Sequence, residues 1–88
     1  MMLPVGHKNF LAVDEIVTIL GPDSAAAKRL KHNAAESGLL ITATNGRPTR
    51  SLIVMETNHV ILSALTTDTL KARLDKFNLR KKKGAIYL

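Results

Sequence analysis

Short apolar runs, rich in β-branched residues and nearly free of polar interruption, constrain this chain more than any other feature. Ile16-Val17-Thr18-Ile19-Leu20 is one, with Phe10-Leu11-Ala12-Val13 just before it; Leu52-Ile53-Val54-Met55 and the stretch 60–65 are two more. Runs this short suit strands rather than helices, and their continuity suits strands covered on both faces. The first is expected as a buried strand or strand pair after a short polar start at 6–9, and Gly21-Pro22 stops it.

Asp23 or Ser24 then offers an oxygen to the free amides of a helix expected over 25–37, which Gly38 closes. On it Ala26, Leu30 and Ala34 recur at the spacing of one face, while Lys28, Arg29, Lys31 and His32 point elsewhere. Leu39, Ile41 and Ala43 alternate with Thr42 and Thr44, and Asn45-Gly46 follows, a pair suited to the positive-φ positions of a tight hairpin. A return strand should begin near Arg47. Because Pro48 cannot donate to a ladder, the regular part is expected at 51–55, leaving Arg47 and Arg50 near an exposed hairpin tip. Glu56-Thr57-Asn58 reads as a second turn, and three strands adjacent in sequence suggest an antiparallel meander. Thr66 or Thr67 caps a second helix, with Leu70, Leu74 and Phe77 inward and Lys71, Arg73, Asp75 and Lys76 outward. The expected fold is α+β: a small antiparallel sheet with two helices, forming one domain over 1–79, followed by a basic C-terminal extension over 80–88 that carries Arg80-Lys81-Lys82-Lys83.

Eighty-eight residues bury a thin core, roughly 60% of the surface of the unfolded chain. Small domains often add disulfides, metals or self-association; there is no cysteine here, and His7, His32 and His59 lack ligand spacing. Self-association remains, and the apolar strands exceed what one small sheet under two helices can bury, so a subunit interface is expected to absorb the surplus. Neither a signal peptide nor a membrane span is suggested, so the chain is expected to be soluble and cytoplasmic.

Thirteen Lys and Arg against seven Asp and Glu give a formal charge of +6, unevenly spread. In residues 1–46, Lys8, Lys28, Arg29 and Lys31 balance Asp14, Glu15, Asp23 and Glu36; the whole excess lies from Arg47 onward. A polyanion is the natural partner of such a half. Arg47 and Arg50 can meet phosphates or a guanine edge, with Asn45 and Thr49 adding weaker phosphate hydrogen bonds, whereas ordinary solvated arginines are the plain alternative. Lys28, Arg29 and Lys31 suit either a phosphate-facing ridge or a solvated helix face. Residues 80–83 read more readily as a solubilising end than as a specific contact. No nucleophile with a base nearby in sequence, metal-ligand set or phosphate-cradling glycine motif is present, so no catalytic role, cofactor, metal or small-molecule substrate is expected. One Tyr, two Phe and no Trp are too few for a base-stacking platform, which favours duplex DNA over single-stranded RNA.

The ordered strings Pro22-Asp23-Ser24-Ala25, Ala43-Thr44-Asn45-Gly46-Arg47 and Ile61-Leu62-Ser63-Ala64 resemble the RemA family of extracellular-matrix regulators, and the likeness runs from about residue 4 to 74. The resemblance implies a LytTR-like DNA-binding transcription regulator of biofilm-matrix genes, nucleoid-associated, assembled into a ring-like homo-oligomer that contacts double-stranded DNA. Two departures stand out: family members usually read Gly-Arg-Arg-Thr-Arg where this chain has Gly46-Arg47-Pro48-Thr49-Arg50, and commonly carry an arginine where it has Glu15. The alternatives are an oligomeric scaffold of the same fold that has lost DNA binding, and an RNA-binding accessory protein using the basic tail.

Overall fold

The computed structural model describes residues 2–6, 9–81 and 86–87. Met2–Gly6 (β1) and Asn9–Ala12 (β2) pair antiparallel as a two-stranded ribbon. A 3-10 turn, Val13–Glu15, leads into Ile16–Leu20 (β3), then Ala25–Glu36 (α1), Leu40–Ala43 (β4), Ser51–Met55 (β5), Val60–Ser63 (β6), Thr67–Lys81 (α2) and the two-residue strand Ile86–Tyr87 (β7). The main sheet runs β4-β6-β5-β3-β7. The expected strand pair over 10–20 therefore exists, but its halves belong to different sheets. β1 is missing from the sequence reading because only Leu3 and Val5 bury, and Pro4 between them and Gly6 after them read as breakers.

Between the two candidate caps of α1 the structure selects Ser24, whose Oγ accepts from the Ala27 amide at 3.0 Å. The far end closes as a Schellman motif: Gly38 takes φ +73°, its amide donates to the Ala35 carbonyl, and the Leu39 amide reaches back to Ala34 at 2.8 Å. The packed face is shifted from the expected one. Ala27 and Ala34 are buried and Leu30 half-buried, whereas Ala26 is exposed, since Ala27, not Ala26, lies three residues before Leu30 and seven before Ala34 on the line of the sheet. This face meets Leu20, Leu52, Val60 and Leu62.

The expected hairpin and all-antiparallel meander do not form. β4 pairs with β6, and in parallel, from Leu40↔Val60 to Ala43↔Ser63, while β5 lies antiparallel between β3 and β6. Asn45 and Gly46 do adopt φ +53° and +83°, with the Arg47 amide bonded to the Thr44 carbonyl at 3.0 Å, so the local turn chemistry was legible and what it joins was not. The reason is burial. Leu52 and Ile53 face opposite sides and are both covered, so β5 needs neighbours and layers on all sides; β4, with Ile41 and Thr42 exposed, tolerates the edge. The true hairpin joins β5 to β6, where Asn58 has φ +72° and its amide donates to the Met55 carbonyl.

The other sheet face carries α2 and the ribbon. Thr66 is the cap, its Oγ1 accepting from the Thr69 amide at 3.2 Å. Leu70 and Leu74 are fully buried with Leu3, Val5, Ile19, Ile53 and Ile61. Three polar links seat this layer: Ser63 Oγ donates to the Val5 carbonyl at 2.7 Å, Ser51 Oγ donates to the Leu65 carbonyl at 2.8 Å, and the Arg73 guanidinium donates to the Pro4 carbonyl at 3.0 Å. Arg73, expected outward, is thus half-buried against β1. Arg80 and Lys81 end α2, and β7 pairs parallel with β3. The inward packing of Phe77, the part of the tail formed by Lys82 and Lys83, and His7 lie outside the described residues.

Two stability changes follow. Leu74→Ala should lower unfolding free energy by about 2–5 kcal/mol, and Ser63→Ala, which strands the Val5 carbonyl, by about 1–3 kcal/mol, both read from urea transitions.

Candidate nucleic-acid interface

Because β5 is antiparallel to both β3 and β6, and β4 is parallel to β6, the strands β3, β4 and β6 all point the same way. Their C-terminal ends share one end of the sheet. Both helices start there, α1 just after β3 and α2 just after β6, which aims two sets of free amides and two positive dipole ends in that direction. Asp23 and Asp68 stand at those helix starts. The connection 44–50 crosses the same end, from β4 over the end of β6 to β5, and is pinned where the Arg50 amide donates to the Ser63 carbonyl at 2.8 Å.

On this connection Asn45, Arg47 and Arg50 are exposed and Thr49 half-buried, with Thr44 buried beneath. Neither arginine has an acidic partner among the described residues; His32 and Glu36 pair at 3.4 Å on the surface of α1. Asn45, Arg47, Thr49 and Arg50 are thus brought together, on a crossover rather than at a hairpin tip. Ser51 and Ser63, which lacked any sequence signal beyond being hydroxyls inside apolar strands, turn out to be the posts that hold the connection and the start of α2.

Lys28, Arg29 and Lys31 are all exposed on α1, but they do not make a single ridge. At about 100° per residue, Lys28 and Lys31 stand about 60° apart, while Arg29 is about 160° round from Lys31, beside Asn33. Residues two apart on a helix do not face each other. Glu15 lies at the opposite end of the sheet from Arg47 and Arg50 in the same chain, its carbonyl accepting from the Glu56 amide at 2.8 Å. Glu15 and Glu56 thus stand at one end of the strands, and Arg47 and Arg50 stand at the other, together with Asp23 and Asp68 at the helix starts.

Two open grooves flank α1, of about 250 and 340 Å³. The first is floored by Leu30, Ala34, Leu39, Val54 and Val60; the second lies beside Gly21, Pro22 and Ser24. The second groove also holds Asp23, but its Ser24 hydroxyl accepts from the Ala27 amide as the cap of α1, and no group of three or more His, Cys, Asp or Glu suited to a metal ion occurs among the described residues. His59 Nδ1 lies 2.7 Å from Thr57 Oγ1 in the β5–β6 turn. Among the described residues no helix is long and apolar enough to cross a membrane.

Comparison with known proteins bears on this arrangement. Residues 2–74 match the family model described as extracellular matrix regulatory protein A-like. The chain is 44% identical over 77 residues to a protein of Desulfosudis oleivorans, covering 88% of this chain and 79% of that protein. It is 43% identical over 83 residues to one of Desulfatibacillum aliphaticivorans, covering 94% and 93%, and 46% identical over 72 residues to one of Thermosipho melanesiensis, covering 82% and 77%. All three are provisionally named regulatory proteins. Family match and identity together establish that this chain belongs to the RemA-like family of extracellular matrix regulatory proteins.

Proposed function

We propose that the chain is a DNA-binding transcription regulator of the matrix-gene type, without catalysis, working in the cytoplasm at the nucleoid as a ring-like homo-oligomer. The observation that carries this is the pair Arg47 and Arg50, exposed and free of acidic partners among the described residues, on a backbone-pinned connection at the end where both helices begin. Pro48 between them fixes one dihedral, so the two guanidinium groups reach out from a stiff support. A phosphate backbone gains there from two cations, from Asn45 and Thr49 as hydrogen-bond donors, and from the helix dipoles. Glu15 and Glu56 lie at the far end of the strands, away from these two cations.

One subunit offers few contacts. Repetition of the connection around an oligomer adds them through effective concentration, and successive contacts on a curved surface favour DNA that bends along it. Lys28 and Lys31, on the side of α1 away from Arg29, supply a further phosphate contact when DNA passes along that helix.

Fluorescence anisotropy of the protein with an A·T-rich promoter duplex over a salt series tests this reading. Binding should weaken steeply with salt. Arg47→Ala or Arg50→Ala should flatten the log-log slope by about 0.9 for each phosphate left without its cation, multiplied by the subunits engaged. Substitution of Lys28 or Lys31 by Ala measures their share in the same way. Absence of binding by the unaltered protein at low salt overturns the reading in favour of a scaffold that does not engage DNA.

A further inference from the structure

The ribbon formed by β1 and β2 is apolar on both faces. Its register sets Leu3 opposite Leu11, and these with Val5 point toward the sheet; Met2 opposite Ala12 and Pro4 opposite Phe10 point the other way. Met2 and Phe10 are 53% and 55% exposed, the most exposed large apolar side chains among the described residues. Ile41, 47% exposed, stands two residues before Ala43 and therefore on the same side of β4, the side that packs under Leu3 and Val5. A ribbon whose outer face met only water would alternate apolar with polar residues. This one has the pattern of an internal layer.

Charge selects what covers it. The chain carries +6, all of it from residues 47–88, while residues 1–46 sum to zero. Two copies approaching through their second halves repel each other, and an approach through Met2, Pro4, Phe10 and Ala12 brings together four uncharged residues. A polyanion or an anionic surface gains nothing from a face without cations or donors. We infer that the outer face of the β1–β2 ribbon is the seat of a second copy of this chain, with Phe10 as its central anchor. This rests on the oligomeric part of the proposed function and names the surface that part requires.

The test compares molar mass by sedimentation for the full chain and for Phe10→Asp, with circular dichroism as the check on folding. The unaltered protein should be multimeric and the folded variant should fall to a smaller species, whereas Val17→Asp, which changes an exposed apolar residue on β3, should leave the mass unchanged. Since the chain has no cysteine, F10C gives a second readout that does not depend on a charge tolerated by the fold. Its thiol should be alkylated about tenfold more slowly at concentrations where the multimer is populated than on dilution, and the V17C thiol should react at one rate throughout. A monomeric unaltered protein, an unchanged mass for folded Phe10→Asp, or concentration-independent alkylation of F10C overturns the inference. Loss of DNA binding in a protein that still assembles through the ribbon would instead remove the DNA reading and leave this surface standing.

Discussion

Covering β5 and β6 on both faces is the physical requirement from which the remaining arrangement follows. Leu52 and Leu62 project toward α1, Ile53 and Ile61 toward α2, and none of the four is more than 5% exposed. Two adjacent strands of that kind must occupy the middle of a sheet, with a layer on either side. The antiparallel hairpin between them is then internal, so β4 is pushed outward and joins β6 from its other side, in parallel. β4 and β5 then run antiparallel with β6 between them, so no two-residue turn can join them and the connection 44–50 has to climb across the end of β6. The cationic loop is where it is because the core is where it is.

That geometry explains both what the sequence made legible and what it hid. Strands 51–55 and 60–63, the cap at Ser24 and the stop at Gly38 were all readable, since each rests on chemistry within a few residues. The partners of those strands were not. Asn45-Gly46 carried a true signal about two dihedral angles and no information about which strand would lie alongside afterwards. The outward placing of Arg73 failed for a similar reason: helical spacing identifies the side of a helix, and the carbonyl of Pro4 that draws the guanidinium in comes from 69 positions away. Of the proposed interface, Arg47 and Arg50 were visible as residues and as exposed. Their support, the carbonyl of Ser63, was invisible because a serine inside an apolar strand announces burial and not its partner.

The same layout separates tasks along the molecule. Arg47, Arg50 and both helix starts gather at one end of the strands, Glu15 and Glu56 stand at the other, and the β1–β2 ribbon lies over a face. Electrostatic attraction and apolar contact thus act on different sides, so a substitution on one need not disturb the other. In a chain this small such separation is economical: sheet and helices hold the core and also set the direction of the field.

The bond between the Ser63 hydroxyl and the Val5 carbonyl links residues 58 positions apart, and Leu3 and Val5 find their neighbours in β6 and α2. During synthesis Leu3 and Val5 therefore lack these neighbours until β6 and α2 have been made. Contacts this distant in sequence slow folding, because loop closure must precede any gain from packing. The packed face of the ribbon can close only once β6 and α2 are in place, so the covering of the earliest residues depends on the latest ones.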